Sequence, residues 1–140
     1  MRNTLGPGAP RIAYCGPIAQ PGRPARGGYE SANRRLIDDL RRRGADVLEF
    51  AYPLALGSKF AKGMSYARRF AAIAVELVQQ RRRFDVLHLT PLYRQFIYAE
   101  ALLCVVAWSL GKRVMLDIRA GSFIEHYQNR GAAYRKLADA

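Results

Sequence analysis

Apolar and polar positions switch between two periods along this chain. Residues 12–15 form a short apolar run between Arg11 and Gly16, which predicts a buried strand. From Tyr29 the apolar positions Tyr29, Ala32, Leu36, Ile37 and Leu40 recur at helical spacing, and three arginines followed by Gly44 close that segment. Residues 46–50 read as a second strand. Met64, Ala67, Phe70, Ala71, Ala74, Val75 and Val78 then mark a long amphipathic helix that runs into Arg81, Arg82 and Arg83. Residues 85–89 predict a third strand, 94–110 a largely apolar helix stopped by Gly111, 113–118 a fourth strand, and 124 to the end a last helix. Loops are expected at 16–28, with three prolines, and at 51–62; residues 1–10 read as a flexible tail. Strands alternating with helices predict an α/β fold: a parallel sheet of at least four strands with helices on both faces and right-handed crossovers, in one domain over 11–140.

In such a sheet a ligand binds beyond the carboxyl ends of the strands. The loops at 16–29, 51–62, 90–94 and 119–123 converge there. The pair Gly27–Gly28 opens a helix, where bare backbone and the positive end of the helix suit a phosphate or a sugar hydroxyl; the competing reading is a flexible turn. The loop is too long for a dinucleotide fingerprint, although Glu49 stands where its acid belongs, and no Gly-Lys-Ser/Thr sequence occurs. At the end of the fourth strand, Arg119 can hold a phosphate or carboxylate through a guanidinium fork, and Asp117 can act as a base or orient it. Strand alternation puts both on one side, so an internal Asp117–Arg119 pair is the alternative. Gly121 allows a sharp turn. His88, between Leu87 and Leu89, reads as a core histidine before a catalyst. No metal-ligand spacing, nucleophile triad or glycosidase-type carboxylate pair is evident.

The 140 residues carry a net charge of +12, and the basic residues, mostly Arg, cluster at 34–35, 41–43, 68–69 and 81–83. That balance attracts anions such as phosphorylated substrates or acidic headgroups, or else marks solvated helix faces. Nucleic acid is disfavoured, because no aromatic stacking platform or reading helix accompanies the arginines. Cys15 and Cys104 both fall on apolar segments and imply no disulfide framework, which fits the cytoplasm. Residues 1–10 lack the apolar stretch of a signal peptide, and the most apolar run, 101–110, is too short to span a bilayer. Tyr52, Phe60, Lys59, Lys62, Met64, Arg68 and Arg69 mix basic and apolar groups. They predict either a membrane-facing patch or one side of an ordinary amphipathic helix.

Certain stretches resemble a known family. Arg11-Ile12-Ala13-Tyr14, the loop ending Gly27-Gly28-Tyr29-Glu30-Ser31-Ala32-Asn33, the helix through Leu36 and Leu40, and Arg43-Gly44-Ala45-Asp46-Val47 resemble the opening of family-4-type glycosyltransferases of the GT-B fold. Phe84-Asp85-Val86-Leu87-His88-Leu89, followed by a helix and Gly111-Lys112-Arg113-Val114-Met115-Leu116-Asp117, continues the likeness, which spans residues 11–135. The resemblance implies the Rossmann-like N-terminal, acceptor-binding half of a two-domain enzyme whose C-terminal donor domain is missing here. It implies metal-independent transfer of a sugar from a nucleotide-sugar, usually with retention at the anomeric carbon. The acceptor would be a lipid-linked or polysaccharide precursor, with peripheral attachment to the inner face of the membrane. This chain alone would hold no cofactor and would be inactive without its second domain. Many members carry a histidine at the end of the fourth strand, where this chain has Arg119. On this reading Arg119 and Asp117 are the candidate catalytic residues, and Gly27, Gly28, Tyr29, Glu30, Thr90, Gly121 and Ser122 the candidate substrate-binding residues. A stand-alone Rossmann-like module that binds an anionic ligand or a partner subunit is the alternative.

Overall fold

A computed structural model of the chain describes residues 8–53, 57–92, 96–119 and 123–139, without the side chains of Phe123, His126 and Leu137. The elements run β1 (Arg11–Gly16), α1 (Gly28–Arg42), β2 (Asp46–Ala51), α2 (Lys59–Gln79), β3 (Val86–Leu89), α3 (Ile97–Ser109), β4 (Arg113–Leu116), α4 (Phe123–Gln128) and α5 (Ala132–Ala138). The strands form one parallel sheet in the order β2-β1-β3-β4. This is the Rossmann-like α/β arrangement that the alternating pattern predicts.

Strand alternation decides which helix covers which face. Ala13, Cys15, Phe50, Leu87 and Leu89 point to one side and pack against Phe70, Ile73 and Leu77 of α2 and Leu103, Cys104 and Ala107 of α3. Tyr14 and Val47 point to the other side, against Ile37 of α1. Burying these faces supplies the main driving force for the fold, about 1.5–3 kcal/mol per large apolar side chain. Both cysteines are buried and unpaired. Burial pushes the Cys15 thiol up and the Cys104 thiol up to about 11.

Gly44 ends α1 in the left-handed region at φ +88°, and its N–H donates to the Arg41 carbonyl at 2.9 Å. Gly111 ends α3 likewise at φ +70°. Some boundaries differ from the pattern. α2 begins at Lys59, inside the expected loop, because the Ser58 hydroxyl caps it by accepting from the Ala61 N–H at 3.2 Å. β4 stops at Leu116, before the expected end at residue 118. The expected last helix is two helices, with Gly131 in extended conformation at the second start.

Candidate functional site

The strand order reverses between β1 and β3, so the connections leaving their carboxyl ends run in opposite directions and leave a crevice between them. A buried polar network closes its floor. The Tyr14 hydroxyl donates to Asn33 Oδ1 at 2.8 Å and lies 3.1 Å from Thr90 Oγ1. Asn33 Nδ2 donates to the Pro17 carbonyl at 2.9 Å, and the Thr90 N–H donates to the Cys15 carbonyl at 2.9 Å. This network joins the ends of β1 and β3 to α1. Asn33 and Thr90 are completely buried, and leaving one of their polar atoms unpaired would cost about 1–3 kcal/mol. Gly16 sits at the junction: a Cβ there would lie 3.2 Å from the Thr90 Cβ.

Beside the network lies a line of charge. Tyr14 and His88 are register partners on adjacent strands, with ring centroids 4.4 Å apart. His88 Nε2 is buried, and Asp117 Oδ2 lies 3.4 Å from it. On its other side Asp117 accepts a hydrogen bond from Arg119 Nη2. That bond and the guanidinium charge hold the Asp117 carboxyl below its ordinary value and raise Arg119 above its own. Burial holds the His88 imidazole below its ordinary 6.5, and Arg119 lowers it further while Asp117 opposes the shift. Burial raises the Tyr14 phenol.

The sequence-derived candidates fall as follows. Arg119 and Asp117 form the internal pair that alternation allows. Gly27 and Gly28 stand at the rim. Gly27 is extended at φ −175°, and a Cβ on either would meet nothing within 4 Å. Packing therefore requires glycine at neither position, and the backbone at the helix start is left unobstructed. Glu30 accepts from the Arg26 N–H at 2.8 Å, which spends its carboxylate on closing the start of α1. Thr90 belongs to the buried floor. Gly121 and Ser122 lie outside the described residues. In the mixed basic and apolar patch, Tyr52 and Arg69 turn inward instead. Tyr52 is buried, with its hydroxyl donating to Glu100 at 3.3 Å, and burial raises its phenol well above the usual range. Arg69 donates to the Ala51 carbonyl and to Glu76, both at 2.9 Å.

Sequence reasoning passed over Asn33, Gly16 and the participation of His88. The signal for Asn33 was present: it lies four residues before Ile37 on the buried stripe of α1, where a polar side chain needs a partner. A small recess of about 240 Å³ lies between the 18–26 loop, Glu30 and Tyr52. Glu49 is committed elsewhere. Burial would raise its carboxyl, but Arg34 and Arg41, which bond it at 2.8 Å and 2.6 Å, hold it below the usual range. Among the described residues no group of three or more His, Cys, Asp or Glu is placed to hold a metal ion, and no helix is long and apolar enough to cross a membrane. No family model, curated protein or solved structure matches this chain.

Proposed function

We propose that this chain is the acceptor-side half of a nucleotide-sugar-dependent glycosyltransferase of GT-B type, and that its crevice holds an anionic group of a substrate. The observation that carries the reading is that, in a sheet whose strand order reverses between β1 and β3, the unobstructed Gly27–Gly28 helix start follows β1 and the Asp117–Arg119 pair follows β4. Transfer from a nucleotide-sugar puts negative charge on the leaving diphosphate. Fixed N–H groups and a cation already aimed at that charge stabilise it without reorganisation. Asp117 holds the Arg119 fork in place, and His88 backs Asp117 from within the sheet. The sugar nucleotide would sit mainly on a second domain, so no cofactor is assigned to this chain alone.

A stand-alone module binding an anionic ligand is the second reading. The observation favouring it is that His88, Asp117 and Arg119 are brought together within this one chain.

Titration of the ¹⁵N-labelled chain with inorganic pyrophosphate tests the common part. The amides of Gly27 and Gly28 and the Arg119 side chain should shift together, and Arg119→Ala should abolish the response. Shifts confined to the arginines at 41–43 or 81–83 would refute the site. Sugar-phosphate and lipid-phosphate acceptors separate the two readings: an acceptor half binds the sugar moiety as well as the phosphate, and a module binds the phosphate alone. Neither reading allows sugar transfer by this chain alone, so measured turnover would overturn both.

A further inference from the structure

β4 is an edge of the sheet. It pairs with β3 on one side, and among the described residues no strand lies on the other. Met115, Leu116 and Ile118 are about half exposed there, whereas Ala13, Leu87 and Leu89 of the inner strands are fully buried. The strand holds no proline, and Arg113 is the single charge within it. Such an edge offers a row of open backbone groups to another strand.

The hydrogen bonding shows which groups those are. The Arg113 N–H donates to the Asp85 carbonyl at 3.2 Å, and the Asp117 N–H to the Leu89 carbonyl at 2.9 Å. Residues 113, 115 and 117 therefore turn their backbone polar groups toward β3, and by alternation Val114 and Leu116 turn theirs outward. The side chains alternate as well. Met115 is the register partner of His88, so Arg113, Met115 and Asp117 share one face of the sheet, and Val114 and Leu116 share the other.

These open groups restrict how a second copy can pair. In an antiparallel contact, opposed residues exchange both bonds only where both turn outward. A twofold axis at any residue from 113 to 117 meets that condition, and charge separates the choices. An axis at Arg113 or at Asp117 sets a charge against itself. An axis at Leu116 sets Arg113 against Arg119 of the second copy, and an axis at Val114 sets it against Met115. An axis at Met115 alone sets Arg113 against Asp117, and it does so twice. The same register opposes Val114 to Leu116 twice and Met115 to itself. Opposite charges and apolar groups directly opposed stabilise a strand pair, and like charges destabilise it.

We propose that two copies of this chain join their β4 edges antiparallel about a twofold axis at Met115, making one sheet with four strands from each copy. Such a contact is closed: it uses both open edges and leaves neither to aggregation. It also brings Arg113 of the second copy beside Asp117, the carboxylate that holds Arg119. The joint is independent of what the β1–β3 crevice binds.

The test reads both mass and register. Sedimentation velocity of the chain is run in about 0.15 M salt, where repulsion between two chains of charge +12 is screened beyond about 8 Å. It should find a dimer across the micromolar range. Met115→Cys sets two thiols on the axis. The opposed Cα atoms of a non-hydrogen-bonded antiparallel pair are about 4.5 Å apart, inside the disulfide range of roughly 4.4–6.8 Å. Leu116→Cys stands diagonal to its counterpart at about 7–8 Å, out of reach. Under mild oxidation the first variant should cross-link into a dimer and the second should not, while Cys15 and Cys104 stay buried. Arg113→Glu, at an exposed position, reverses both ion pairs and should raise the dissociation constant at least about tenfold, with circular dichroism checking the fold. A monomer overturns the proposal and leaves the edge to a strand of another chain. A dimer in which Met115→Cys cross-links no faster than Leu116→Cys is joined elsewhere or in another register, and overturns it too. So does a dimer that Arg113→Glu leaves as tight as before.

Discussion

Gly16 and Gly28 both stand at the mouth of the crevice, yet only the first is required by packing. A Cβ on Gly16 would press on the Thr90 Cβ at 3.2 Å, in a floor with no slack. Gly16→Ala should therefore cost about 1–3 kcal/mol in urea unfolding. Gly28 has open space around it and opens α1, so Gly28→Ala should leave stability unchanged or raise it by up to about 1 kcal/mol. The same substitution should weaken pyrophosphate binding, and equal binding by both proteins would remove the glycine pair from the site. The histidine behind the floor gives a second prediction. The native His88 should titrate below 6.5, because burial disfavours its cation. Arg119 lowers it further and Asp117 opposes the shift. Arg119→Ala should thus move the His88 midpoint up, and Asp117→Asn should move it down. Ring-proton NMR reads both, and a shift of the same sign in the two variants would break the proposed line of charge.

One carboxylate adds to the apolar packing that holds α1 on β2. Glu49 takes two parallel bonds from Arg34, at 2.8 Å each, and a third from Arg41 at 2.6 Å, with Arg34 and Glu49 each less than a quarter exposed. Glu49→Gln leaves two guanidinium groups facing a neutral amide, and should cost about 2 kcal/mol, well above the yield of an exposed pair. A loss under about 0.5 kcal/mol would mean that the fork is as dispensable as a surface contact. The contrast between α1 and its anchor also shows what a sequence can disclose. α1, its stop at Gly44 and the buried strand β1 follow from local spacing and backbone chemistry, and each is legible in the chain. The start of α2 was missed because Pro53 and Gly57 outweighed the single cap at Ser58. The role of Asn33 depends on Tyr14 and Thr90, which lie 19 and 57 residues away in sequence. His88 looked like a core histidine and is one, but its closeness to Asp117 is fixed by where β4 sits beside β3. Pairing at that range leaves no periodic trace.

The charge state of the molecule links the crevice to the stability of the fold. His88 has a lowered native value, so the unfolded chain binds its proton more readily. Its contribution is complete above 6.5 and is lost as pH falls through the lowered value. Asp117 and Glu49 are also lowered, Asp117 by Arg119 and Glu49 by Arg34 and Arg41 against the opposing effect of burial. Their contributions are complete above the ordinary carboxyl range and vanish as pH falls through their native values. Every step has the same sign: acid weakens the fold, first through the histidine and then through the carboxylates. Protonation also adds charge to a chain already at +12, and self-repulsion grows with it. The urea midpoint should therefore be flat from about pH 8 to 7, begin to decline as pH falls below about 6.5, and fall steeply below about pH 4. His88→Gln separates the two stages, because it removes the first decline and leaves the second. If the variant keeps the first decline, the early loss belongs to another group, and the His88–Asp117 contact is not the acid-sensitive joint of the sheet.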